Sequence, residues 1–210
     1  MKLLLVGATG LVGHQMLMRA LEDPRIESVT APARRPLAIT HRKLAAPTVR
    51  FEDLPQDADW WQADAAICTL GTTIAKAGSR EAFREVDHDY PLAIARFARA
   101  HGTPRFAVIS AMGANRNSLF FYSRVKGELE ADLEALAFPS LTLVRPGLIG
   151  GDRVERRTGE HATILALTLL GPLLPKAWRI NPSSRIAEVL LDAALDDRAG
   201  VRIVNSTEMV

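Results

Sequence analysis

A chain of 210 residues with 48% hydrophobic and 24% charged side chains has the balance of a globular protein, which excludes a disordered or fibrous one. The formal net charge of +2 comes from scattered Lys and Arg, so nothing calls for nucleic acid as a partner. A single cysteine, Cys68, excludes an internal disulfide. Beside Ala65, Ala66, Ile67 and Leu70 it predicts a buried strand thiol in a reducing, cytoplasmic setting.

The chain opens on an apolar run, Lys2–Val6, that breaks into Gly7-Ala8-Thr9-Gly10-Leu11-Val12-Gly13. The run imitates a signal peptide, but it stops at a glycine turn with no small-residue cleavage site after it. A strand, three glycines spaced by three and an amphipathic helix over Leu11–Glu22 form a phosphate cradle. Gly7 permits the turn, Gly10 lets backbone approach a pyrophosphate, and Gly13 lets helix and strand pack closely. The helix N-terminus then faces the anion. Gly7, Thr9, Gly10, Leu11 and Val12 are the candidate cofactor contacts of this turn.

A second strand is predicted over Ile26–Ala31. A cofactor with a free ribose 2′-hydroxyl calls for an Asp or Glu after it, about twenty residues past the glycines. The chain instead reads Ala31-Pro32-Ala33-Arg34-Arg35, and two guanidinium groups there suit a 2′-phosphate. The plain alternative is a pair of surface arginines. A third strand is predicted over Thr48–Phe51, with Asp53 and Leu54 just past it flanking the adenine. A fourth covers Ala65–Leu70, and Leu70, Gly71 and Thr72 pass under the ribose and pyrophosphate.

A long helix lies within Arg80–His101, and Gly102-Thr103-Pro104 separates it from a fifth strand, Arg105–Ser110. A helix within Phe120–Ala137 follows, then strands Leu141–Val144 and Arg202–Val204 and a helix over Ser184–Leu195. The alternation of strands and helices predicts an α/β fold: a doubly wound (Rossmann) parallel sheet of about seven strands with helices on both faces, in a single domain. The segment 150–183 is the least regular part and is read as a small substrate or lid segment. Its apolar stretch Ala162–Leu174 is shorter than the ~18 residues of a membrane-spanning helix.

Ser110 ends a strand, and Tyr122 and Lys126 lie four residues apart on a helix, on one face and within reach of a common ligand. A phenol with its usual pKa near 10 needs a nearby ammonium to exchange a proton at neutral pH. Lys126 can supply that charge and hold the nicotinamide ribose, Ser110 can polarise a carbonyl, and Tyr122 can donate the proton. The histidines His14, His41, His88, His101 and His161 show no ligand spacing and are expected at the surface or at helix ends, with no metal site. Asp87-His88-Asp89 is expected to be solvated, and Trp60-Trp61 to cap the core edge.

These motifs together resemble the short-chain dehydrogenases/reductases, and within them the atypical, NADP-binding, Tat-interacting-protein-like branch. Beyond the glycine turn, Leu70-Gly71-Thr72-Thr73, Lys76-Ala77-Gly78, Val86-Asp87-His88-Asp89-Tyr90, Ser110-Ala111-Met112-Gly113-Ala114, Tyr122 to Glu128, Arg145-Pro146-Gly147, then Asp152-Arg153, Glu155, Arg157 and Gly159-Glu160 carry the resemblance. It implies NADP(H) as cofactor, a Ser110/Tyr122/Lys126 triad, and Pro146, Gly147 and Leu148 near the nicotinamide amide. Many short-chain reductases carry an Asn on the middle helix to support a relay water, where this chain offers Asp87.

The leading expectation is an NADPH-dependent oxidoreductase acting on a small carbonyl compound. The alternatives are a non-catalytic NADP(H)-binding regulator with a protein partner, in which cofactor sets the conformation of 150–183, and a quinone or lipid reductase using Ala162–Leu174 as substrate wall. The expected partners are a small-molecule substrate or a protein, with no nucleic acid and no transmembrane segment, in a monomer or homodimer.

Overall fold

The computed structural model describes residues 1–150 and 179–210. Seven strands form one parallel sheet: β1 (Lys2–Val6), β2 (Ser28–Thr30), β3 (Leu44–Ala45), β4 (Ala65–Cys68), β5 (Arg105–Ile109), β6 (Ser140–Arg145) and β9 (Gly200–Asn205), in the order β3-β2-β1-β4-β5-β6-β9. A parallel pair, β7 (Ile149–Gly150) with β8 (Asn181–Pro182), lies outside it. The order reverses between β1 and β4, so the loops at their carboxyl ends diverge and open the crevice in which such sheets bind ligands. This is the doubly wound Rossmann arrangement read from the sequence.

The strands β1, β4, β5 and β6 are aliphatic on both sides because helices cover both faces. On one face α1 (Leu11–Glu22) and α6 (Ser183–Leu195) pack with Leu3, Leu5, Ile67 and Ala107. On the other, α4 (Tyr90–Ala100) and α5 (Phe121–Ala135) pack with Leu4, Val6, Ala66 and Val108, and Trp61 is fully buried there. Trp61 is thus a core residue; its half-buried neighbour Trp60 packs at the margin of the same cluster.

Two elements depart from expectation. The third strand is Leu44–Ala45, not Thr48–Phe51; Thr48 makes only an isolated bridge to Ala33. Pro47 separates the two pairings and has no N–H to give to a ladder. The long helix read within Arg80–His101 runs without a gap from α3 (Arg80–Arg84) to α4 but widens into a π-helical turn over Glu85–Asp89, and a separate short helix, α2 (Ile74–Ala77), precedes it. Pro91 in the first turn of α4 offers no N–H to the carbonyl four residues back, that of Asp87, and the widened turn forms there.

Candidate functional site

The glycine turn is built by close approach. Gly7 has φ of 96°, which favours glycine, and its carbonyl accepts the Gly10 amide at 2.9 Å. A Cβ on Gly13 would lie 2.0 Å from the Gly7 carbonyl oxygen and 2.6 Å from Thr69 Oγ1. At Gly10 it would meet only the Gly7 oxygen, at 3.3 Å. Gly10 caps α1 without a side chain, and no acid stands in the first turn, so neither a capping side chain nor an acid takes up the N–H groups there, and a helix N-terminus of this kind favours an anion. Thr9 and Gly10 are exposed and Val12 is buried. Thr69, overlooked in the sequence, closes the underside: its hydroxyl donates to the Val6 carbonyl at 3.0 Å.

Arg34 and Arg35 are exposed in the loop after β2. The Glu52 carboxyl is held below its ordinary range by its own backbone amide and the Tyr90 hydroxyl, with a smaller pull from Arg50 and Arg34. Asp53 is exposed in the adjoining turn, whereas Leu54 belongs to the core cluster. Past β4, Leu70 and Thr72 are half-buried and Gly71 exposed.

The second constellation forms where β5 meets α5. Ser110 is 3% exposed, and its Oγ has no hydrogen-bond partner. Its amide donates to the Val144 carbonyl at 2.7 Å, fixing the end of β5 to β6. Lys126 is 2% exposed; its Nζ donates to the Ile109 carbonyl at 3.3 Å, beside Ser110. Tyr122, one helical turn earlier, is 39% exposed and packs on Phe83, ring centroids 5.6 Å apart. Desolvation raises its phenol pKa, the Lys126 ammonium opposes this, and the Asp87 carboxylate adds to it. Gly127 serves the same helix: a Cβ there would lie 2.2 Å from the backbone of Asn115 and Arg116, so glycine lets the loop after β5 lie against α5.

Asp87 and His88 correct the expectation of a solvated cluster. Asp87 is 1% and His88 4% exposed, because the π turn directs both inward. Asp87 Oδ1 lies 2.8 Å from Lys126 Nζ, and its Oδ2 accepts the Thr72 amide at 2.7 Å. His88 faces Asp89 at 2.7 Å and Asp132 at 3.0 Å. Adjacent helical residues diverge in an α-helix, and a sequence showing no π turn gives no sign that two of these three turn inward.

Pro146 is buried, Gly147 half-buried and Leu148 exposed beyond β6. The Pro146 carbonyl accepts the Met112 amide at 2.8 Å, and the Gly147 amide donates to Asn181 Oδ1 at 2.7 Å. Asn181 is fully buried and ties this turn to Ser206; its distance along the chain hid it from the sequence reading. Asp152, Arg153, Glu155, Arg157, Gly159, Glu160, Ala162–Leu174 and most of the 150–183 segment lie outside the described residues.

The chain is 38% identical over 178 residues to the protein HTATIP2 of Rattus norvegicus, covering 83% of this chain and 72% of that one. It is 35% identical over 215 residues to the mitochondrial protein fmp52 of Aspergillus fumigatus, covering 96% and 87%. No family model matches it. Among solved structures it is similar to MoeE5 in complex with UDP-glucuronic acid and NAD (TM-score 0.76, 15% identity, 98% of this chain and 76% of that one). It is also similar to Bordetella bronchiseptica WbmH in complex with NAD+ (TM-score 0.69, 14% identity, 98% and 75%); at such identities the likeness is one of fold. The expected cytoplasmic location is overturned, since the FMP52 relatives from Aspergillus fumigatus, Candida albicans and Eremothecium gossypii are named mitochondrial. A lone buried cysteine reports a thiol without a disulfide, and more than one compartment keeps thiols reduced.

Proposed function

The chain belongs to the atypical short-chain dehydrogenase/reductase family that includes HTATIP2 and the FMP52 proteins, and from that premise we propose that it is an NADPH-dependent reductase of a small carbonyl compound. The observation that carries the reading is the Ser110 hydroxyl, buried and unpartnered beside a buried lysine at the carboxyl end of the sheet. A buried polar group without a partner costs about 1–3 kcal/mol, and a substrate carbonyl oxygen is the partner it lacks.

A nicotinamide cofactor fits the residues present. In the Gly7–Gly13 turn Gly7 and Gly13 lie against backbone and Thr69, while Gly10 has only the Gly7 oxygen near its would-be Cβ and leaves space for a pyrophosphate to approach; Arg34 and Arg35, exposed in the loop after β2, would receive a 2′-phosphate. Pro146, Gly147 and Leu148 would hold the carboxamide, Gly71 and Thr72 the ribose, and Asp53 and Leu54 the adenine. Bound NADPH supplies the hydride. Ser110 orients the carbonyl by donating to its oxygen, and Tyr122 donates a proton to that oxygen as negative charge develops there. Lys126 holds the ribose and its ammonium stabilises the phenolate left behind.

The test is oxidation of NADPH by the purified chain across a panel of aldehydes, ketones and quinones. Turnover that Tyr122→Phe reduces by about 10²-fold or more is the expected result. NADPH binding with no turnover sensitive to Tyr122→Phe would overturn the reductase reading and leave a cofactor-binding module.

A further inference from the structure

A carboxylate is buried between the turn after β4 and the lysine of α5. Both oxygens of Asp87 are engaged: Oδ1 with Lys126 Nζ at 2.8 Å, and Oδ2 with the backbone N–H of Thr72 at 2.7 Å. The side chains are 3% exposed for Lys126 and 2% for Asp87, so solvent and salt screen the pair little. The Ile109 carbonyl takes a further Lys126 N–H at 3.3 Å. The carboxylate thus ties the lysine to the Gly71–Thr72 turn, while the Ile109 carbonyl ties the same lysine to the end of β5.

We infer that Asp87 is a positioning residue of the reductase site, fixing the Lys126 ammonium between the Gly71–Thr72 turn and β5 and biasing the site toward carbonyl reduction over alcohol oxidation. The inference rests on the function proposed above. In reduction Tyr122 must begin with its proton, whereas in alcohol oxidation it must first lose it. An ammonium alone eases that loss. A carboxylate paired with it opposes the loss, so Lys126 remains a hydrogen-bond donor while its field at the phenol is partly cancelled.

The signs of these influences agree with the geometry: burial and Asp87 hold the Tyr122 phenol above its ordinary range, and Lys126 pulls it down. Among the described residues, the neighbouring titratable groups are neutral or paired with other partners. Cys68 on β4 stays a neutral thiol, pushed up to about 12 by burial. Arg84 of α3 pairs with Glu128, which also faces Arg124 on α5. His88 faces Asp89 and Asp132.

The chain has two tyrosines, so Tyr90→Phe leaves Tyr122 as the sole phenol, and 13C-tyrosine NMR follows its ionisation without cofactor or substrate. In that background Asp87→Asn, nearly isosteric, is expected to lower the Tyr122 midpoint by about one pH unit, a tenfold rise in its ionisation constant. Asp87→Ser, smaller and equally uncharged, replaces it if Asn packs badly, with the same fall expected. A midpoint that stays or rises in a folded variant would overturn the inference. Where a carbonyl is reduced, Asp87→Asn should also move the alkaline limb of the reductive pH profile down by the same interval, an effect on kcat more than KM. A fall in midpoint with no turnover in the parent chain sinks the reductase reading and leaves Asp87 placed as described.

Discussion

Gly13 lies so close to Gly7 that a methyl group on it would sit 2.0 Å from the Gly7 carbonyl oxygen. Gly10, in the same turn, has only that oxygen within 4 Å of its would-be Cβ, at 3.3 Å. The two glycines therefore have separable roles. Gly13→Ala forces apart β1 and α1 and is expected to cost about 2–3 kcal/mol, some ~4–12 °C in melting temperature for a chain of this size. Gly10→Ala should melt within about 2 °C of the parent and yet lose NADPH affinity, because its methyl intrudes where the pyrophosphate approaches. Thermal melts beside cofactor titration by fluorescence check both. Equal losses of stability in the two variants would contradict this division.

Arg34 and Arg35 are exposed, and Arg34 lies close enough to Glu52 to lower its carboxyl. If the pair receives a 2′-phosphate, Arg34→Ala removes a charge-assisted contact that NADH cannot make. NADPH affinity should then fall by about tenfold or more, the ~1.5–3 kcal/mol of a hydrogen bond to a charged group, while NADH binding changes little. Parallel titrations with the two cofactors decide it, and equal losses remove the arginines from cofactor selection.

The parallel sheet and the glycine turn were legible because each rests on local pattern: aliphatic runs, glycine spacing and helical periodicity. The helix from Leu11 to Glu22 begins and ends as read. What escaped depends on missing N–H groups and on contacts distant in the chain. Pro47 moves the third strand pairing to Leu44–Ala45, and Pro91 accompanies the π turn that buries Asp87 and His88. Asn181 reaches Gly147 across 34 positions, a partnership no periodicity announces. Of the candidate site, the Tyr122–Lys126 spacing was readable, but the carboxylate opposite Lys126 needed the fold.

Arg145, at the end of β6, grips Glu130 of α5 with two donors, Nε to Oε1 at 2.9 Å and Nη2 to Oε2. The Glu130 side chain is 6% exposed. Removing the guanidinium strands a carboxylate out of water, so Arg145→Met should destabilise by about 3 kcal/mol. Replacing both partners, as in Arg145→Met with Glu130→Leu, removes the stranded charge and should recover most of the loss. Urea unfolding of the single and double variants measures it. If the double variant were as unstable as Arg145→Met, the loss would lie in packing and not in the uncompensated charge.

Cys68 closes β4 with no exposed surface, and burial pushes its thiol from 9.0 up to about 12, against smaller opposing effects of the Leu70 amide and Lys126. The folded chain therefore keeps its proton over a range in which the unfolded chain releases it. Stability from this group is complete below pH 9, the unfolded value, and is lost as pH rises toward 12, at up to about 1.4 kcal/mol per pH unit. Cys68→Ala sacrifices packing equally at every pH but removes this slope. Its stability deficit against the parent, from denaturant unfolding, should shrink from about pH 9 upward. As the sole cysteine, Cys68 should also resist a disulfide reagent in the folded chain near pH 8 and react once per chain in denaturant. Prompt labelling of the native protein would mean that the β4 end opens to solvent.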